Sequence, residues 1–296
     1  MRPERSQSDA GLSPPDPPKP LRPFAVSLLV LGAVTALGLG LARAAEAGPV
    51  PPAPQPRAQV TRAGDEPLQL AGSGANVLLM RRLCASMRDV RVHASIGSGG
   101  GLRALRDGAI DVAMVSRPLS PEERADLRVV PYARTALVWA TGSDVHAATL
   151  GELRRWYEGQ GELRPLLREL GDSGVDAVRS VAPAVADAHD HAVRARRSEL
   201  LLTEGAMREA LAQVPRSFGL TDWGQLQLAP IDVHPLSIDG VAPTLQNVRD
   251  GRYRFVRELA LVVRQDDRRA NAFADLVRSP PMQAIVAASG YLPVDR

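Results

Sequence analysis

Ser95-Ile-Gly-Ser-Gly-Gly-Gly-Leu-Arg-Ala-Leu-Arg-Asp-Gly-Ala-Ile-Asp-Val-Ala-Met-Val-Ser-Arg-Pro-Leu-Ser120 is the stretch that decides the fold. A short apolar strand, residues 90–96, runs into a glycine cluster. A helix follows with Leu102 and Leu105 on one face and Gly108 as its stop, and a second apolar strand, residues 110–115, ends on Ser116-Arg117-Pro118. Glycines at a strand-to-helix turn let backbone N–H groups converge on a ligand without interference from Cβ atoms. The helix start adds unpaired N–H donors and the positive end of the helix dipole. Together these make an anion site. The glycines alone are equally compatible with a plain tight turn; the repetition of the device along the chain favours the site.

The repetition starts upstream. Residues 67–71 read as a strand, Gly72-Ser-Gly-Ala-Asn76 as a glycine turn, and residues 78–87 as a helix. Two strand–turn–helix units in succession predict an α/β fold with a parallel sheet, whose ligands sit at the carboxyl ends of the strands. Downstream, the pattern predicts a long strand at 129–140, an amphipathic helix at 150–158 stopped by Gly159, and a strand at 163–167. A third glycine turn, Arg168-Glu-Leu-Gly-Asp-Ser-Gly174, opens a helical region at 175–197 broken near Pro183. Extended residues 200–203, a helix at 204–212 and a strand at 218–222 form a further unit. The tail alternates a strand at 231–236, a helix at 243–250, a strand at 259–263 and helices at 268–278 and 281–289.

Ahead of the folded part, which begins near Glu66, residues 1–23 are polar and proline-rich, with no core-forming pattern, and are expected to be disordered. Residues 24–42 carry no charge and behave as a signal-peptide core or a membrane anchor. Ala42-Arg-Ala44 and Ala45-Glu-Ala47 offer cleavage patterns, and both outcomes stay open. Either way the basic residues precede the apolar run, which places the rest outside the cytoplasm. Residues 48–65 form a proline-rich linker. The 296 residues carry a formal net charge of +3, too balanced for a nucleic-acid partner. Cys84 is the only cysteine, which excludes an internal disulfide and a cysteine metal cluster, and it lies in the apolar helix pattern Val77-Leu-Leu-Met-Arg-Arg-Leu-Cys-Ala-Ser-Met87.

Other chemistries find little support. Gly72-Ser-Gly-Ala-Asn-Val77 lacks the third glycine of a dinucleotide fingerprint, and no glycine loop continues into Lys-Ser/Thr. No Gly-x-Ser-x-Gly elbow is present. His189 and His191 are two apart and do not share a helix face, so a solvated surface is favoured over a metal site. Arg168 is different. It closes a predicted strand and opens a helix turn, the place where a guanidinium beside helix N–H groups holds an oxyanion. The alternative is an ordinary surface arginine.

Three stretches, Leu70-Ala-Gly-Ser-Gly-Ala75, Ser95-Ile-Gly-Ser-Gly-Gly-Gly-Leu102 and Val115-Ser-Arg-Pro-Leu-Ser120, resemble the phosphate-binding proteins of bacterial ABC importers. So do Thr203-Glu-Gly-Ala-Met-Arg-Glu-Ala-Leu-Ala-Gln-Val-Pro-Arg-Ser-Phe-Gly219, Pro235-Leu-Ser-Ile-Asp-Gly-Val-Ala-Pro243 and the last helix through Pro293. The resemblance covers nearly all of residues 66–296. It implies a class II periplasmic-binding-protein fold: two α/β lobes, 66–142 plus 236–296 and 143–235, with a ligand cleft between them.

Carried over by position, the resemblance places Asn76 and the Val77 amide at the first loop's contact and Ser98 at the second loop's hydroxyl. Ser116 and Arg117 stand at the third contact, and Arg168 at the arginine beside the hinge. The final contact loop, Asp172, Ser173 and Gly174, departs from the family, because Asp172 stands where a serine is expected and no threonine follows. Two readings of Asp172 remain open. In one, it has exchanged roles with Arg117 and accepts a proton carried by the ligand. In the other, it is the N-cap of the following helix and occupies the N–H groups an anion needs. The resemblance implies an exported, periplasmic solute-binding protein that takes phosphate or a related oxyanion for an ABC permease. It would be a monomer, without cofactor, metal or enzymatic activity. The alternative is a membrane-tethered sensor or scaffold with altered or lost anion binding.

Overall fold

The computed structural model describes residues 66–294. The expected disordered segment, apolar run and proline-rich linker lie outside the described residues. Among the described residues no helix is long and apolar enough to cross a membrane.

The chain opens with β1 (Leu68–Gly72), α1 (Gly74–Leu83), β2 (Val90–Ser95), α2 (Gly97–Arg106) and β3 (Val112–Val115). A short helix α3 (Pro121–Arg124) leads into the long strand β4 (Leu127–Thr141). There follow β5 (Ala147–Ala148), α4 (Leu150–Tyr157), β6 (Arg164–Leu166), α5 (Ser173–Val181), α6 (Pro183–Arg194) and α7 (Glu204–Gln213). Next come β7 (Ser217–Asp222), α8 (Trp223–Leu228), β8 (His234–Pro235), β9 (Ser237–Ile238) and α9 (Leu245–Arg249). The chain finishes with β10 (Val256–Arg264), α10 (Arg268–Val277), α11 (Pro280–Ala288) and β11 (Leu292–Pro293).

The main sheet has nine strands, seven of them in the order β2-β1-β3-β10-β4-β7-β6, with β8 and β11 also paired to β4. Strands β1, β2 and β3 are parallel, as the repeated strand–turn–helix units predict. All four residues of β3, Val-Ala-Met-Val, are buried, as strands covered on both faces require. Strands β4 and β10 depart from the parallel expectation and run antiparallel to each other. Strand β4 joins the two halves of this sheet. Its residues 127–136 pair with β10, whereas residues 137–141 pair with β7.

The apolar cores follow this division. Two clusters, around Leu79 with Tyr132 and around Leu102 with Val262, cover the two faces of the β2-β1-β3-β10 sheet. A third, around Trp139, Tyr157 and Phe218, lies beneath β7 and β6. Along β4 the side chains change core between Ala133 and Ala136, and on the way back between Phe255 and Leu259. We propose that the lobe boundary runs through β4 and β10 at these points rather than at residues 142 and 235. Lobe 1 below denotes the side of β1–β3, lobe 2 the side of β6 and β7.

Two glycines of the quoted motifs set the spacing in lobe 1. Gly72 ends β1 at φ +145°, and a Cβ there would lie 2.1 Å from the Met114 carbonyl oxygen. A Cβ on Gly101 would approach the Gly72 Cα to 2.9 Å. Helix α2 therefore rests directly on the backbone of β1, which holds its first turn at the carboxyl ends of the strands. Gly108 at φ +70° and Gly159 at φ +78° follow α2 and α4, where the sequence placed the stops.

Some local expectations change. Helix α1 begins at Gly74, not at residue 78, so the glycine turn is itself the first helical turn. Residues 200–203 form no strand; Leu200 makes only an isolated bridge to Leu167. Residues 231–236 contribute only the two-residue β8. The break near Pro183 is present, between α5 and α6.

Candidate functional site

A cleft of about 440 Å³ opens between the lobes. Residues from the first turns of α1, α2, α5 and α7 line it: Gly74; Gly97, Ser98 and Gly99; Ser173; and Glu204. Four helix N-termini thus bring positive dipole ends to one place, but the two lobes treat them differently. In lobe 1, Ser73 and Ile96 stand at the N-cap positions of α1 and α2 without a side-chain cap bond, and neither helix has an acidic residue in its first turn. In lobe 2, Asp172 caps α5, while Thr203 caps α7 and Glu204 occupies its first turn.

Hydroxyl groups cross the cleft. Ser116 Oγ shares hydrogen bonds with Ser73 Oγ at 2.7 Å and with Ser173 Oγ at 2.9 Å, and the Ser116 N–H donates to Ser98 Oγ at 3.3 Å. The Ser116–Ser173 bond joins the end of β3 in lobe 1 to the start of α5 in lobe 2. On the same interface Gln225 donates from Nε2 to the Ala75 carbonyl at 2.9 Å.

The guanidinium groups at the cleft are paired with carboxylates. Arg168, only 6% exposed, donates to Asp172 Oδ2 from Nε at 3.2 Å and Nη2 at 2.9 Å. Asp172 Oδ1 accepts the N–H groups of Gly174 at 2.8 Å and Val175 at 3.3 Å. Arg257, on β10, donates to Asp222 Oδ2 at 2.8 Å and Glu204 Oε1 at 3.3 Å, and its Nη2 stands 3.8 Å from Asp172 Oδ1. Burial works against charge on Asp172, yet Arg168, Arg257 and the Gly174 N–H hold its carboxyl below the ordinary value. Asp222 goes the other way. Complete burial, with Glu204 and Asp172 adding repulsion, outweighs Arg257 and pushes its carboxyl up to about 7. Arg117 forms a bidentate pair with Glu123 at 2.6 and 2.7 Å, whose hydrogen bonds hold the Glu123 carboxyl down at about 2. Glu123 is also the closing residue of the capping box of α3.

Of the residues expected at the site, Ser98, Arg117, Arg168, Asp172 and Ser173 line the cleft. Ser116 meets it through its hydroxyl bonds, and Gly174 is buried behind Asp172. Asn76 and Val77 are not on the lining. The Asn76 side chain is fully buried, donates to the Val115 carbonyl at 3.2 Å and accepts from the Tyr132 hydroxyl at 2.8 Å. Val77 packs against the core of α1. The Asn76 side chain thus ties α1 to β3, and a ligand contact by Asn76 or by the Val77 amide stays a proposal. The charge expected from Arg117 is already neutralised by Glu123. Among the described residues no group of His, Cys, Asp and Glu is placed to hold a metal ion.

The family model for the PBP superfamily domain, the periplasmic-binding-protein superfamily, matches residues 57–281. The chain belongs to the PBP superfamily. Among solved structures, a phosphate ABC transporter substrate-binding protein from Clostridium perfringens with bound phosphate is similar at TM-score 0.67 and 21% identity, over 78% of this chain and 100% of that one. An ABC-type phosphate transport receptor from Vibrio cholerae is similar at TM-score 0.57 and 18% identity, over 76% and 99%. OxyR from Corynebacterium glutamicum, as an H2O2-bound mutant, reaches TM-score 0.51 and 18% identity, over 75% and 66%. No curated protein sequence matches. The fold is therefore the two-lobed PBP fold, and this chain is a divergent member with phosphate-binding proteins among its structural neighbours.

For this PBP member, the residues that sequence reasoning missed are the ones that surround Arg168 and Asp172. Arg257, Glu204 and Asp222 come from β10, α7 and β7, far apart in the chain. His189 was expected on a solvated helix face, but it is only 2% exposed. Its Nε2 accepts the Arg168 backbone N–H at 3.1 Å, which leaves the ring proton on Nδ1, 3.2 Å from Asp190 Oδ1. A signal was present: Val185, Ala186, His189 and Ala192 fall on one helical stripe. Burial holds the His189 pKa below its ordinary value, against the pull of Asp190.

Proposed function

We propose that this PBP-superfamily member is an exported solute-binding protein that takes a phosphate-class oxyanion in the cleft between its lobes and presents it to an ABC permease. The observation that carries this reading is the uncapped pair of helix starts, α1 and α2, facing a cleft crossed by the hydroxyls of Ser73, Ser98, Ser116 and Ser173. Such N–H and hydroxyl donors hold an oxyanion without needing a full counter-charge. Arg168, with Nη1 lacking a protein partner, lines the cleft as a positive group. The uncharged run 24–42 behind basic residues supports export, and the overall charge balance supports a small-molecule ligand rather than nucleic acid. The protein works as a monomer, without metal, cofactor or catalysis.

One observation favours a second reading, a tethered sensor or scaffold in the same fold with weakened anion binding: Asp172 already fills the helix start of α5. Calorimetric titration of the full chain in detergent with phosphate, sulfate and arsenate separates the two. Micromolar or tighter phosphate binding is expected of a transport receptor. Absence of heat up to millimolar concentrations of all three anions overturns that reading and leaves the sensor.

A further inference from the structure

The lobe 2 wall of the cleft holds an anion that belongs to the chain. Asp172 Oδ1 receives two backbone N–H groups from the start of α5, and Oδ2 receives two N–H groups from Arg168. Arg257 lies just behind. Four donated hydrogen bonds saturate a carboxylate. A helix start together with the fork of an arginine is the donor set that binds a phosphate-type ion. The backbone is shaped to this arrangement, because a Cβ on Gly174 would lie 2.1 Å from Arg257 Nη2.

We infer that Asp172 acts as a tethered anion: its carboxylate occupies the lobe 2 half of the oxyanion site, and a free oxyanion must displace it or bind to the lobe 1 donors alone. The inference rests on the reading of the cleft as an oxyanion site and adds what limits it. A tethered group competes at an effective concentration that a dissolved ion does not reach. It also repels an incoming anion through a low-dielectric region. Two further observations agree. The carboxylate has no spare lone pair for a ligand's proton, so a proton-reading role for Asp172 has no geometric support. In addition, Ser173, next in sequence, already touches Ser116 across the cleft, so lobe-to-lobe contact is made with the internal anion in place.

The test compares the parent with Asp172→Ser and Asp172→Asn in the full chain. Serine and asparagine start helices about as well as aspartate, so both variants keep the cap while removing the charge. Inorganic phosphate and sulfate are titrated at neutral pH by calorimetry, and thermal melts are recorded with and without phosphate, using chloride at equal ionic strength as control. A tethered anion predicts at least tenfold tighter phosphate binding in the serine variant and a phosphate-specific rise in its melting temperature that exceeds the parent's. Should the serine variant fail to fold, the asparagine variant decides. Equal phosphate affinity in parent and variants overturns the inference and makes Asp172 a helix cap only; if that shared affinity is micromolar, the transport-receptor reading survives. A parent without measurable binding beside a variant that binds upholds the inference and removes the transport-receptor reading. No binding and no phosphate-dependent melting shift in either protein overturns both.

Discussion

Replacing Arg257 with methionine tests the charge network beneath the cleft. Methionine keeps the unbranched length and removes the guanidinium. Arg257 is only 3% exposed and faces three buried carboxylates: Asp222 at 2.8 Å, Glu204 at 3.3 Å and Asp172 at 3.8 Å. After the change Arg168 alone balances them, and it is already engaged by Asp172. Removing one partner of a buried ion pair costs about 3–5 kcal/mol, because the remaining charge is left desolvated. For a folded unit of this size that corresponds to a melting temperature lower by about 6–20 °C.

The pH dependence gives the cause. The Asp222 carboxyl already stands at about 7 in the parent, above its ordinary 3.8, through burial. Without Arg257 it rises further. A group whose folded pKa is raised contributes stability that is present below the unfolded value and lost as pH rises through the folded value. The Arg257→Met deficit should therefore be largest at pH 8 and shrink towards pH 5. Melts followed by circular dichroism at pH 5, 6, 7 and 8, for parent and variant, read this directly. A deficit under about 3 °C at pH 7, or one that is the same at pH 5 and pH 8, would refute the view that Arg257 neutralises buried carboxylates.

Two further changes address Asn76 and His189. Asn76→Ala orphans the Tyr132 hydroxyl and the Val115 carbonyl in the core; urea unfolding should show a loss of about 2–4 kcal/mol, and an unchanged midpoint would return Asn76 to the ligand. His189 has its pKa lowered from 6.5 by burial, so its contribution is present above that value and is lost as pH falls. His189→Gln retains an acceptor for the Arg168 N–H and does not titrate; it should lose less melting temperature than the parent between pH 7 and pH 5, and parallel curves would reject the role.

The fold was legible because its deciding features are local. Glycines at strand ends, apolar strands of four to six residues and helix stops at Gly108 and Gly159 are all written within short windows. Where the reading slipped, a local preference misled it. Gly74, Ala75 and Asn76 looked like a turn because glycine is a poor helix former, yet they are the first turn of α1. The site was legible only in part, since half of it is long-range. Arg257 meets Asp222 and Glu204 across 35 and 53 positions of sequence, and no window contains the three together. His189 shows a different failure. Its charged neighbours, Asp187, Asp190 and His191, suggested solvent, while the stripe of Val185, Ala186 and Ala192 pointed inward; in an amphipathic helix the stripe decides.

Asp172 shows how little sequence separates an open anion site from a filled one. Serine and aspartate are nearly interchangeable as helix caps, so local helix energetics does not distinguish them, and both readings were available before the fold was known. The distinction comes from what lies opposite. A serine cap at this position would carry no charge to pair with Arg168, whose Nη1 is unpartnered even now, beside Arg257. The aspartate accepts two N–H groups of α5 and two of Arg168 and sets a negative charge among them. Lobe 1 shows a different choice at α1 and α2, where neither N-cap side chain makes a cap bond and the Gly97 N–H meets only the neutral Ser95 hydroxyl. On the proposed reading, an asymmetry of this kind puts control of affinity in lobe 2 and the ligand's first contacts on lobe 1. The tethered-anion proposal then expects a single change of residue type at 172 to shift binding strength while the fold stays the same.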